Sequence, residues 1–208
     1  MLIKPEGLYL GGICFLTGKH PVLDAAGQAR LALEGGIMCI QLREKDAPRR
    51  EIYALAVELR RLTLEYGAAL IINDHPDIAL AVDADGVHLG QDDFPLAGAR
   101  EIMGKKIIGI STHDFGEAAG AYRGGADYIG FGPVFETSTK DVGPAKGLDM
   151  LKEIKRSAGI PVMAIGGITA ETASGVIRAG ADAIAVSGAV LNGDLLENAR
   201  MLVGAIRP

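Results

Sequence analysis

ALIINDHPDIALAVDADGVHLGQDD, residues 69–93, is the stretch on which the fold turns. Its apolar run Ala69–Ile72 is short and stops at Asn73 and Asp74, the pattern of a buried parallel strand whose last residues emerge into a loop. A short helical segment, Pro76–Val82, leads to a second apolar strand, Gly86–Leu89, which also ends in carboxylates, Asp92 and Asp93. Two neighbouring strand ends therefore present acid groups at the same face. With Asn73 beside them, these oxygen donors suit a magnesium ion that keeps waters and also takes phosphate oxygens. Asp74 and Asp92 equally suit N-cap positions for the helices that follow. Both readings stand at this point.

Toward the N-terminus, Ile13–Thr17 reads as a strand that Leu8–Leu10 extends across Gly11 and Gly12. Asp24–Glu34 has helical spacing of Ala and Leu and is stopped by Gly35 and Gly36. Met38–Arg43 is the second strand, and Arg49–Tyr66 is an amphipathic helix with Leu55, Leu59 and Leu62 on one stripe. Toward the C-terminus the spacing predicts helix Leu96–Met103, strand Ile107–Ser111, helix Glu117–Arg123 and strand Tyr128–Phe131. A long Gly/Pro/Thr-rich loop, residues 132–147, follows. Beyond it come helix Asp149–Ser157, strand Val162–Ile165, helix Ala170–Ala179, strand Ala183–Val186 and helix Leu195–Ile206.

Eight strands thus alternate with eight helices. Strict alternation implies parallel strands with right-handed crossovers, and eight units in 208 residues point to an α/β chain folded as one (β/α)8 TIM-barrel domain over 1–208. A doubly wound open sheet has the same local pattern and is the alternative. GGAD at 124–127 and AGAD at 179–182 precede strands six and eight and hint at quarter-barrel repeats.

Hydrophobic residues make up 49% and aromatics 5%, with no Trp and 29 Gly. This mixture fits many strand-to-helix turns and disfavours an aromatic stacking platform for single-stranded nucleic acid. A net charge of −5 argues against a general polyanion binder, so a phosphate must be held by a few placed cations. Nucleic acid and membrane are not expected partners. Lys4, Pro5 and Glu6 stand where a secretory signal needs an apolar run, so a cytoplasmic protein is expected. Cys14 and Cys39 lie in apolar runs without metal-ligand spacing and read as buried free thiols.

Barrel active sites form at the C-terminal ends of the strands, and those ends are chemically rich here. Gln41 and Arg43 are two residues apart and so point to one side of strand two. An Arg directed inward needs an anion, either an internal partner such as Asp74 or Glu44 or a bound phosphate, with Lys45 adding a mobile charge. AIGGI at 164–168 and AVSGA at 185–189 end strands seven and eight with Gly-flanked N–H groups, a frequent phosphate site in barrels. The loop after strand six carries Thr137, Ser138, Thr139 and Lys140, which suits closure over a phosphorylated substrate and equally suits a solvated surface. Ser111 and His113 end strand five. His88, within a strand, reads as a buried hydrogen-bonded group, and His20 and His75 as loop residues. No HExxH pattern and no Ser/His/Asp nucleophile pattern appears.

QLREK at 41–45, IINDHPDIAL at 71–80, DADGVHLGQDD at 83–93, IIGISTHD at 107–114, GADYIGFGPVF at 125–135, TSTK at 137–140 and AIGGIT at 164–169 together resemble the thiamin phosphate synthase family. The resemblance runs from strand two to near the end of the chain. It implies a transferase that joins 4-amino-2-methyl-5-hydroxymethylpyrimidine diphosphate to a thiazole phosphate and releases pyrophosphate. It further implies Mg2+ on Asp74 and Asp93, with Gln41, Arg43, Lys45, Asn73, Ser111 and Lys140 around the pyrimidine diphosphate. Arg43, Lys45, Ser111 and Lys140 are the expected catalytic groups, and Thr137, Thr139, Gly167, Ser187 and Gly188 hold the thiazole phosphate. A homo-oligomer is expected from the family likeness and from the general prevalence of symmetric assemblies.

An aminopyrimidine pushes electrons toward its exocyclic carbon, so diphosphate can leave first and a thiazole nitrogen can capture the resulting cation. No enzyme nucleophile is needed, which accords with the missing triad. LTGKHP at 16–21 and Glu136 before TSTK depart from the family pattern. Two other readings are a thiazole tautomerase on the same barrel and a non-catalytic barrel that binds thiazole phosphate. Neither needs Asp74 and Asp93 together with Arg43, Lys45 and Lys140.

Overall fold

The computed structural model describes residues 12–137 and 143–206. Eight strands form a closed barrel in chain order, so the open doubly wound sheet is excluded. They are β1 Ile13–Leu16, β2 Cys39–Leu42, β3 Ala69–Asn73, β4 Gly86–Leu89, β5 Ile107–Thr112, β6 Tyr128–Phe131, β7 Val162–Ile165 and β8 Ala183–Val186. Every pairing is parallel, and β1 closes the ring on β8 with Cys14 beside Ala185.

The helices among the described residues are α1 Ala25–Glu34, α2 Arg49–Tyr66, α3 Pro76–Ala81, α4 Leu96–Met103, α5 Phe115–Arg123, α6 Gly147–Ser157, α7 Ala170–Arg178, α8 Gly188–Leu191 and α9 Leu195–Ile206. Their apolar stripes and the outward faces of the strands share one cluster that includes Leu42, Leu59, Leu70, Val87, Ile108 and Leu151. A second cluster fills the barrel itself, with Cys14, Leu16, Cys39, Ile71, Ile107, Tyr128 and Met163. Alternation along each strand separates the two. Leu8–Leu10, the expected extension of β1, lies outside the described residues.

Capping differs from one sequence reading. Asp24 caps α1 by accepting from Gly27 N at 2.8 Å, and Asp114 caps α5 by accepting from Glu117 N at 2.9 Å. Asp74 and Asp92 cap nothing: α3 starts after His75 and α4 after Pro95. Proline at the head of each helix removes one of the N–H groups a carboxylate would otherwise satisfy or fixes the entry geometry. Asp74 is left to meet Asp93 instead.

A further helix, α8, stands where only a loop was expected between β8 and the last helix. It spans four residues, too few for apolar periodicity to register. Cys14 and Cys39 are buried free thiols with their sulfurs 3.2 Å apart.

Candidate active site

The C-terminal ends of β2, β3 and β4 bring charged groups together. Asp74 follows β3 in a left-handed conformation, φ 63°, which Asp tolerates better than most side chains. Its backbone N–H donates to His88 O at 2.9 Å, tying the β3 exit to β4. This turn carries the Asp74 carboxyl to within hydrogen-bonding reach of Asp93. Asp93 is fixed in turn by accepting from Gly90 N at 2.7 Å.

Partial burial, the hydrogen bond to Asp93 and the repulsion of its charge push the Asp74 pKa up to about 6; Lys45 and Arg43 oppose the rise. Two acids pressed together need a shared proton or a cation. Arg43 and Lys45, on the β2 exit, supply positive field from one side, and Arg43 also reaches the half-buried Glu44. Neither Asp74 nor Glu44 forms an ion pair within 4.0 Å of Arg43 among the described residues, so the internal-pair reading of this Arg fails there. Gln41 is buried below it, 2% exposed, and Asn73 is half-buried at the end of β3.

The first loop takes part in this arrangement. Thr17, fully buried, accepts from Arg43 N at 2.9 Å and lies 3.3 Å from Glu44 Oε1. Gln28 on α1 holds the same loop through Gly18 N at 3.1 Å, Gly18 O at 2.8 Å and Leu23 O at 3.0 Å. Thus LTGKHP buttresses the start of the β2 loop. Exposed Lys19 and Asp46 join the two loops at 2.8 Å.

Beside the carboxylates opens a cavity of about 490 Å³. Arg43, Ser111, Thr137, Gly167, Ser187 and Gly188 all line it. Gly166 and Gly167 have φ of 97° and 64°, and side chains there would strike Pro133 and the Glu136 carbonyl. Their bare backbone is therefore set by both conformation and space. Ser187 immediately precedes α8, whose first N–H groups have no partner within the helix. His113 also lines the cavity, with Nδ1 2.8 Å from Glu117 Oε2.

Arg43 thus joins two neighbourhoods, the carboxylate pair and the cavity. Lys45 is exposed, and Gln41, Asn73, Asp74 and Asp93 do not line the cavity itself. Thr139 and Lys140 lie outside the described residues, as does Ser138. Among the described residues no three His, Cys, Asp or Glu side chains gather as a metal cage. Two carboxylates with an adjoining space for anionic ligand suit a hard ion that retains waters and substrate oxygens.

Sequence reasoning missed the helix α8 and the cluster behind Ser111. His88 is hydrogen-bonded in the barrel as expected, but its partners, Tyr128 and Ser111, were not read from the chain. The available signal was period two: Gly109 and Gly130, two residues from Ser111 and Tyr128, share their inward face and mark positions where something bulky needs room.

The profile of the family described as thiamine monophosphate synthase matches residues 13–190. A thiamine-phosphate synthase of Chloroflexus aurantiacus is 52% identical over 164 residues, 78% of this chain and 76% of the relative. One from Clostridium acetobutylicum is 46% identical over 178 residues, covering 85% and 84%. Among solved structures, a thiamine phosphate pyrophosphorylase from Pyrococcus furiosus superposes with a TM-score of 0.88 at 41% identity, covering 94% of this chain and 95% of that one.

Proposed function

The chain belongs to the thiamine monophosphate synthase family, and from that premise we propose how its rim performs the family's coupling. The enzyme is a transferase that joins 4-amino-2-methyl-5-hydroxymethylpyrimidine diphosphate to a thiazole phosphate, giving thiamin phosphate and pyrophosphate. The observation that carries the site assignment is the meeting of the Asp74 and Asp93 carboxyls in the field of Arg43 and Lys45, beside a cavity of about 490 Å³.

In this reading Asp74 and Asp93 would hold Mg2+, which would supply charge neutralisation at the leaving diphosphate. Arg43 and Lys45 share that task from β2, Arg43 through a planar fork and Lys45 as a point charge. Lys140 is assigned to the diphosphate by the family likeness alone. Gln41 and Asn73 orient the pyrimidine end, and Ser111 faces the pyrimidine from β5.

The thiazole phosphate belongs at Gly167, Ser187, Gly188 and Thr137, which line the cavity, with Thr139 assigned to it by the family likeness alone. Backbone N–H groups in this region satisfy phosphate oxygens without adding side-chain bulk. In this reading the thiazole nitrogen lies near the pyrimidine's exocyclic carbon. The C–O bond to diphosphate breaks with its electrons leaving on oxygen, and the nitrogen lone pair forms the new C–N bond. The chain contributes position and charge, not a covalent intermediate.

Asp93→Asn tests this directly. Removal of one carboxylate is expected to lower turnover by about 10²-fold or more, assayed as pyrophosphate and thiamin phosphate formed from both substrates with Mg2+. Near-normal turnover at saturating Mg2+ removes Asp93 from the mechanism. Isomerisation of a thiazole substrate without coupling selects the tautomerase reading instead.

A further inference from the structure

Ser111 is held from behind by two side chains to which no part in the coupling has been given. Its Oγ lies 3.0 Å from His88 Nε2, and His88 Nδ1 lies 2.9 Å from the Tyr128 hydroxyl. The three residues come from adjacent strands β4, β5 and β6 and run from the closed interior of the barrel to the cavity wall. Tyr128 is 1% exposed, whereas Ser111 opens on the cavity.

The strands are cut to admit this row. A Cβ on Gly109 would lie 2.1 Å from Tyr128 Cζ, and one on Gly130 would lie 2.9 Å from His88 Cε1. Both distances are below contact, so glycine at these two places makes room for the aromatic rings. The rings sit with centroids 5.5 Å apart.

The direction of the hydrogen bonds follows from the buried end. Burial pushes the Tyr128 phenol well above its usual pKa, so it keeps its proton. Around it the barrel offers Cys14, Cys39, Ile71 and Met163, and its one hydrogen-bond partner among the described residues is His88 Nδ1. A buried hydroxyl proton left without an acceptor is costly. Tyr128 therefore donates to Nδ1, which must carry the lone pair. The imidazole proton then resides on Nε2 and is donated to Ser111 Oγ, because one ring nitrogen of neutral His donates and the other accepts.

We propose that Tyr128 and His88 are positioning residues that fix the polarity of the Ser111 hydroxyl. With its oxygen already accepting from His88, Ser111 turns its own proton into the cavity. It offers the substrate a committed donor, matched to a lone pair such as a pyrimidine ring nitrogen or a diphosphate oxygen. This rests on the reading that Ser111 faces the pyrimidine substrate. Reversal of the row would make Ser111 a donor to His88 and leave the substrate without that hydrogen bond.

The unaltered protein supplies the first test. In 15N-histidine-labelled enzyme, which carries four His, the His88 ring is identified by its loss in His88→Gln. Near neutral pH its Nε2 is expected to show the protonated, pyrrole-type resonance and Nδ1 the unprotonated one. The opposite tautomer overturns the proposal.

The second test is a double-mutant cycle on turnover. Ser111→Ala is expected to lower kcat by about 10²-fold, and Tyr128→Phe by about tenfold, with KM for thiazole phosphate unchanged. In the Ser111→Ala background, Tyr128→Phe should add no further loss, because it acts through the hydroxyl already removed. Full additivity, or an unimpaired Tyr128→Phe enzyme beside a crippled Ser111→Ala one, refutes the positioning role while leaving Ser111 at the substrate. An unimpaired Ser111→Ala enzyme refutes the placement of Ser111 itself, and the positioning role falls with it.

Discussion

The carboxyl of Asp74 carries the clearest electrostatic signature at the rim. Its pKa is pushed to about 6 by partial burial and by Asp93, so the neutral form is favoured well above the usual carboxylate range. A raised folded-state value contributes stability that is fully present below the unfolded value near 3.8 and is lost as pH rises through about 6. Above that point the metal-free protein carries two adjacent charges that a divalent ion relieves. Mg2+ should therefore raise Tm markedly at about pH 7.5 and much less at about pH 5, where it must first displace a proton. Equal shifts at both pH values, or none, in thermal denaturation would remove Mg2+ from this pair. Asp74→Asn should abolish the pH dependence of the shift. The acids themselves were legible as strand-end residues. The left-handed turn at Asp74, φ 63°, was not, because nothing local distinguishes a directed Asp from a capping one.

At the scale of elements, one acidic position recurs before the even strands. Asp85, Asp127 and Asp182 each accept from a backbone N–H of the preceding odd strand, at Leu70, Ile108 and Val162, with distances of 2.8, 2.7 and 2.7 Å. Each also donates its own N–H to the carbonyl of that same residue, at 2.9, 2.8 and 2.9 Å. A cation from the preceding even helix completes each unit: Arg60 of α2, Arg100 of α4 and Lys155 of α6. The two short turn matches visible in the sequence thus belong to a three-membered series that includes DAD at 83–85. Before β2 the corresponding stretch is GGIM, 35–38, without the acid.

This series lies at the strand starts, opposite the proposed chemistry, where barrels secure stability. Asp127→Ala is expected to cost about 1–3 kcal/mol, mainly because the buried Ile108 N–H loses its acceptor. The partly exposed Arg100 pair contributes little of that. Asp127→Asn keeps an acceptor oxygen and should recover most of the loss in urea denaturation. Equal destabilisation by Ala and Asn would instead assign the effect to charge. Helix α8 marks the limit of sequence reading at this scale: its four residues contain no full apolar repeat, and only the barrel around it gives Ser187 and Gly188 their position.

For the whole molecule, alternation of elements was readable but closure was not, because closure depends on β1 meeting β8, which are separated by most of the chain. What fills the ring explains how so few aromatic residues suffice. Tyr128 takes the space of several aliphatic side chains, and the cluster it shares inside the ring mixes larger Leu16, Ile71, Ile107 and Met163 with small Ala69, Ala183, Ala185 and the two cysteines, while Gly109 beside it leaves room for its ring. Gly109→Ala should therefore be felt throughout the barrel. Its methyl would fall 2.1 Å from the Tyr128 ring, between two strands that cannot part without breaking the closed ladder. Overpacking of this kind costs about 1–3 kcal/mol, and occasionally more. Urea denaturation should show a lower midpoint with an unchanged slope, the mark of lost stability without a change in the surface exposed on unfolding. Shortening the ring in Gly109→Ala/Tyr128→Leu should restore part of the midpoint but not coupling activity, because the same hydroxyl that fills the barrel is the one that orients His88. Recovery of both would separate the packing of Tyr128 from any part in turnover.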